Sequence, residues 1–145
     1  MRSLTISCSK NSLLTVRRSS RWHKKLVYIL LANRSYKYPS DKRSRIIYIG
    51  TTGKGAGRPA ASAVHKATEA FAQLHGVKEI EVHIATCRGR KSTRTWEHLE
   101  SALLATFRDI HWALPKYNKK KGAKHKKLLF RDKALRKFIL QFEGS

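Results

Sequence analysis

The chain has 145 residues, the length of one ordinary domain, and its 41% hydrophobic and 9% aromatic content suffices for a modest core. Lys and Arg number 32 against 9 Asp and Glu, a formal net charge of +23. That excess argues against an enzyme of small anionic metabolites, which needs only a few local cations. It argues for a polyanion partner, since each neutralised phosphate releases a condensed counterion.

The charge is uneven. Residues 1–45 hold 12 Lys and Arg and 1 acid, a net of +11; residues 46–115 hold 9 and 6, a net of +3; residues 116–145 hold 11 and 2, a net of +9. Basic ends flank a nearly balanced middle, which divides the chain into a basic, flexible arm (1–24), a folded domain (25–118), and a basic segment with a C-terminal helix packed on that domain (119–145). The arm, rich in Ser, Arg and Lys, also has the composition of a transit peptide. No long apolar span or strong basic amphipathic stretch suggests a membrane. Cys8 and Cys87 offer neither a disulfide framework nor metal-ligand spacing. They indicate a reducing intracellular compartment, a bacterial or phage cytoplasm ahead of an organelle, with Cys87 as a small core residue.

In chain order, Lys25 to Leu31 is a β-branched and aromatic apolar run that reads as a strand. A polar stretch from Asn33 to Arg45, with Pro39 and Ser40-Asp41 as turn formers, leads to a second strand, Arg45 to Gly50. The loop after it carries Gly53, Gly55 and Gly57. Pro59 suits the first turn of a helix whose Ala60, Ala63, Val64, Ala67, Phe71 and Leu74 share a face and which Gly76 closes. Glu79 to Ala85 alternates as a half-buried third strand. Thr95 caps a helix with Trp96, Leu99, Leu103, Leu104 and Phe107 on one side; Pro115 interrupts the pattern. A last helix spans about 132–142, with Leu135, Phe138, Ile139 and Phe142 inward. The order β-β-α-β-α-α predicts an α/β (α+β type) fold with a small three-stranded antiparallel sheet flanked by helices.

The Gly-rich loop has no register that fits a phosphate-cradling P-loop or the G-x-G-x-x-G dinucleotide pattern, although Lys54 and the helix start behind it suit a phosphate. Tyr28 and Tyr48 each lie in an apolar strand, and a paired hairpin can bring both phenols to one face; half-buried strand tyrosines are also common without any function. Arg58, Ser62 and His65 share one face of the first helix. Glu100 lies beside the apolar stripe of the second, with Glu97 one turn earlier as its rival. His75, His83, His98, His111 and His125 form no metal-ligand spacing and read as surface or edge residues.

Val27-Tyr28-Ile29, Tyr48-Ile49-Gly50, Arg58 ten residues past the second Tyr, a helical Glu, and Leu114-Pro115-Lys116-Tyr117-Asn118 together resemble the GIY-YIG nuclease family over about residues 25–120. Leu26 stands where the family's first motif has Gly, and Ser62 where it has a helical Tyr or His, for which His65 is the nearest substitute. The resemblance implies a metal-dependent DNA endonuclease that hydrolyses phosphodiester bonds. Tyr48 would be the general base, Tyr28 would orient water or phosphate, Arg58 would clamp a nonbridging oxygen, and Asn118 would fix the site. Glu100 would be the ligand of one divalent Mg2+ or Mn2+, the helix pattern favouring it over Glu97. DNA, or alternatively RNA, would also meet Lys54, Arg88, Arg90, Lys91, Lys119, Lys120, Lys121, Lys124, Lys126 and Lys127. The rival reading is a non-catalytic DNA- or RNA-binding protein that keeps the nuclease fold.

Overall fold

The computed structural model describes residues 5–8, 10–11, 27–51, 58–73, 76–85, 95–119 and 130–144, with backbone alone at 58–64 and 95. The elements run β1 (Val27–Lys37), β2 (Arg43–Thr51), α1 (Arg58–Gln73), β3 (Ile80–Ala85), α2 (Thr95–His111) and α3 (Asp132–Leu140). The three strands form one antiparallel sheet in the order β2-β1-β3. This is the α+β fold expected. No helix among the described residues is long and apolar enough to cross a membrane.

β1 is the central strand, and Val27 to Ala32 are buried on both of its faces. That explains why its sequence is a continuous apolar run rather than an alternation. Phe107, Leu103 and Leu99 of α2 join Ile46, Ile47 and Ile49 of β2 and Ile139 of α3 in one core. β3 is less covered than its alternation predicts: Val82 and Ile84 are exposed.

Where polar residues 33–45 suggest a long connection, β1 instead continues to Lys37 and β2 already starts at Arg43. Pairing of the backbones accommodates the polar side chains. Arg43 donates to both the hydroxyl and the carbonyl of Ser35 (3.0 and 2.9 Å), and Arg45 Nε donates to the Ala32 carbonyl at 2.8 Å. The turn is then short. The Tyr38 amide donates to the Lys42 carbonyl and the Asp41 amide to the Tyr38 carbonyl, both at 2.9 Å, with Asp41 in the left-handed region.

His111 is likewise not a surface residue. It is fully buried between Phe107 (ring centroids 4.3 Å) and Tyr38 (5.2 Å), and neither ring nitrogen has a hydrogen-bond partner. Burial, aided by the nearby Lys42 charge, pushes its pKa down to about 4, so the imidazole sits in the core as a neutral aromatic. Its place one turn after Phe107 on the apolar stripe of α2 is the sequence signal for this burial. His83, by contrast, lies at the sheet edge as expected, beside Glu81 at 3.1 Å.

Candidate active site

Antiparallel register decides which side chains of the hairpin meet. Tyr28 is paired with Gly50, and Leu30 with Tyr48. Tyr28, Tyr48 and Gly50 therefore face the same way, since side chains alternate along a strand. The two rings lie with centroids 5.8 Å apart and planes tilted by 33°. Gly50 makes this approach geometrically feasible. A Cβ there would fall 2.6 Å from Tyr28 Cζ, 2.7 Å from its hydroxyl and 2.7 Å from Tyr48 Cε1. Tyr28 is buried, while Tyr48 is half-buried.

The outer edge of β2 would be an unpaired row of amides and carbonyls, and the segment after α2 covers it. The Tyr117 amide donates to the Ile47 carbonyl at 2.9 Å. Asn118 accepts from the Ile49 amide at 2.9 Å and donates Nδ2 to the Ile49 carbonyl at 2.8 Å. A single side chain thus satisfies both polar groups of the residue between Tyr48 and Gly50. The distant Asn118 belongs to the tyrosine pair through the backbone, which makes it a positioning residue.

α1 reaches this face through Lys66. Its ammonium lies 5.4 Å from the centroid of the Tyr48 ring and 3.1 Å from Glu69 Oε2. His65 is exposed. Lys66 was overlooked in the sequence, although Arg58, Ser62 and Lys66 follow one another at steps of four, along a single helical face. Arg58 opens α1 as its position suggests, but its side chain lies outside the described residues. So do the expected phosphate contacts at Lys54, Arg88, Arg90, Lys91, Lys120, Lys121, Lys124, Lys126 and Lys127, along with Cys87. Lys119 is exposed just past Asn118.

Glu100 and Glu97 occupy one face of α2, both half-buried. No hydrogen bond or ion pair joins Glu100 to another described residue. Burial first, and then the neighbouring Glu97 charge, push the Glu100 carboxyl up to about pKa 7. Two carboxylates in such surroundings disfavour a lone negative charge and favour an added cation, so the electrostatics of this pair fit a divalent ion on Glu100. Among the described residues no group of three His, Cys, Asp or Glu side chains could hold a metal ion.

The surface hollow of about 320 Å³ lined by Asn33, Arg45, Glu79, Glu81 and Gly144 is a different place. Glu81 pairs with Leu31, on the opposite face of β1 from Tyr28. Its carboxylate is held below the usual range, chiefly by the hydrogen bond from His83, and two acids at its rim repel phosphate. Comparison with protein-family models, curated proteins and solved structures finds no match to the chain.

Proposed function

We propose that the chain is a metal-dependent DNA endonuclease of the GIY-YIG type, a phosphodiester hydrolase. The observation that carries this reading is the tyrosine pair: Tyr28 and Tyr48 share a face over Gly50, while Asn118 holds the intervening Ile49 backbone by two hydrogen bonds. A hairpin needs neither a glycine at that point nor a two-bonded asparagine on its edge to be stable. Together they fix two phenols side by side.

Hydrolysis needs an activated water, a counter-charge for the phosphoryl group and help for the departing oxygen. Tyr48, the more exposed of the pair, takes the proton from water. A phenol is a weak base near neutral pH, and the Lys66 ammonium against its ring favours the electron-rich phenolate. Tyr28, buried beside it, orients the water or a phosphate oxygen. Arg58 at the head of α1 clamps a nonbridging oxygen with its forked donor. Glu100 holds Mg2+ or Mn2+, which when bound supplies Lewis-acid polarisation of the phosphate and charge relief for the leaving 3′ oxygen. The excess of 23 positive charges holds the polyanion.

The test is nicking of supercoiled plasmid in Mg2+ or Mn2+ by wild type, Glu100→Ala and Arg58→Ala. Nicking by wild type alone supports the nuclease. Equal DNA affinity for all three with no cutting leaves a nucleic-acid-binding protein built on this fold. Cutting lost in Glu97→Ala and kept in Glu100→Ala moves the metal to the other carboxylate.

A further inference from the structure

Trp112 directly follows α2, is 71% exposed, and has a backbone φ of +60°. Both features are unfavourable. Helices usually leave the left-handed position to Gly or Asn, because a bulky side chain strains there. An indole in water also leaves a large apolar ring without partners. The turn itself does not call for a tryptophan: the Trp112 amide donates to the Arg108 carbonyl at 2.8 Å, a bond any residue but proline can make. Strain kept at an exposed aromatic points to a use for the ring.

The ring is carried on a firm base. His111, the residue before it, is fully buried, and its carbonyl accepts from the Ser40 amide at 3.3 Å. Tyr38, packed against His111, donates its hydroxyl to the Ile46 carbonyl at 2.9 Å and accepts from the Lys116 amide at 3.3 Å. Exposed cations are carried by the segments that meet at His111. Arg108 is exposed one turn back, the exposed Lys42 is close enough to act on the His111 imidazole, and Lys116 lies 4.7 Å from the centroid of the Tyr36 ring. The acids in this part are Asp109 and Asp41, the latter bonded to Lys37 at 2.9 Å.

An aromatic plane set among cations is how proteins hold unpaired bases: the ring stacks and the cations take the flanking phosphates. We propose that Trp112 is a stacking platform for an unpaired nucleobase, with Arg108, Lys42 and Lys116 on the adjoining phosphates. The substrate class of the nuclease is then DNA carrying an unpaired base. That last step rests on the nuclease reading; the stacking site does not. Trp112, just past the end of α2, follows Glu100 by twelve residues, about 18 Å at the helical rise, so the stacking site is separate from the proposed metal site.

Fluorescence anisotropy in EDTA tests this without cleavage, using a labelled duplex with one bulged base and the same duplex fully paired. Wild type should bind the bulged duplex about ten-fold tighter, the worth of stacking one base on an aromatic ring. Trp112→Phe should keep the preference. Trp112→Gly should abolish it while its thermal midpoint stays level or rises, because glycine relaxes the positive φ. Equal wild-type affinity for both duplexes overturns the proposal, as does a preference that survives in Trp112→Gly. It also fails if the Trp112→Gly midpoint drops by several degrees, which would make the ring a packing element. Loss of self-association with unchanged DNA affinity would make Trp112 a contact between copies and overturn it too. A protein that keeps the bulge preference but never nicks plasmid loses the nuclease reading and retains the stacking site.

Discussion

Gly50 lies opposite Tyr28 across the β1–β2 ladder, and the Tyr28 ring occupies the space a Gly50 side chain would need. The glycine is there for volume, since its backbone is ordinary strand. Gly50→Ala should therefore act as overpacking, costing about 1–3 kcal/mol. The displaced atoms belong to the two phenols, so nicking should fall further than the urea midpoint shift explains. A Gly50→Ala protein with wild-type midpoint and wild-type nicking would show that the rings do not depend on this gap.

Asn118 bridges the amide and carbonyl of Ile49, and its two functions can be separated. Asn118→Ala leaves both groups to find water at the sheet edge and should cost about 1–3 kcal/mol. Asn118→Asp keeps the acceptor for the Ile49 amide but sets a carboxylate against the Ile49 carbonyl. It should therefore be at least as destabilising near neutral pH and recover as pH falls through the carboxylate range. Amide exchange at Ile49 reports the bond directly. Unchanged protection in both variants would contradict the bridge.

Lys66 separates charge from packing in a similar way. Lys66→Met keeps an unbranched side chain on α1 but removes the ammonium from Tyr48 and Glu69. Stability should change by about 1 kcal/mol or less, as for other partly exposed ion pairs. If Tyr48 is the base it acts only once deprotonated, so removing the cation beside it should move the ascending, acid-side limb of the cleavage profile to higher pH. His65→Ala, on the exposed side of α1, should leave that profile in place. A profile that moves with His65 and not with Lys66 would reverse the two roles.

Much of this fold is legible in the sequence. Continuous apolar runs mark β1 and β2, alternation marks β3 and helical spacing marks the three helices, because each element has a strong apolar signal of its own. The ends of β1 and β2 were not readable: Ser35, Arg43 and Arg45 look like loop residues until their partners across the hairpin are known. A paired hairpin can bring Tyr28 and Tyr48 to one face, and the register does so. Lys66 and the depth of His111 depend on which helix face meets the sheet, a tertiary fact that spacing within one helix leaves open.

His111 and Glu100 give the folded chain two opposing proton balances. The His111 pKa lies at about 4, below its ordinary 6.5, because burial disfavours the charged ring. Between those values the unfolded chain binds a proton that the folded one refuses. Its contribution is thus complete above about pH 6.5 and lost as pH falls toward 4. The Glu100 pKa lies at about 7, above its ordinary 4.5, through burial and Glu97. Here the folded chain keeps the proton, so its contribution is complete below about pH 4.5 and lost as pH rises toward 7. The windows overlap and the slopes oppose, so these two groups largely cancel in wild type. Single variants should unmask them. His111→Leu, of similar volume, should give stability that falls as pH rises from about 4.5 to 7. Glu100→Gln should give stability that rises over about pH 4 to 6.5. Each swing should be on the order of 1–3 kcal/mol, the Glu100 one smaller because solvent reaches its carboxyl. Urea midpoints in EDTA at several pH values check this, and variants that keep the wild-type slope would contradict the assignment. At pH 7.5, Mg2+ should then raise the wild-type midpoint by mass action and leave Glu100→Gln where it was, since only the ionised carboxylate binds the ion. An equal rise in both would place the metal elsewhere.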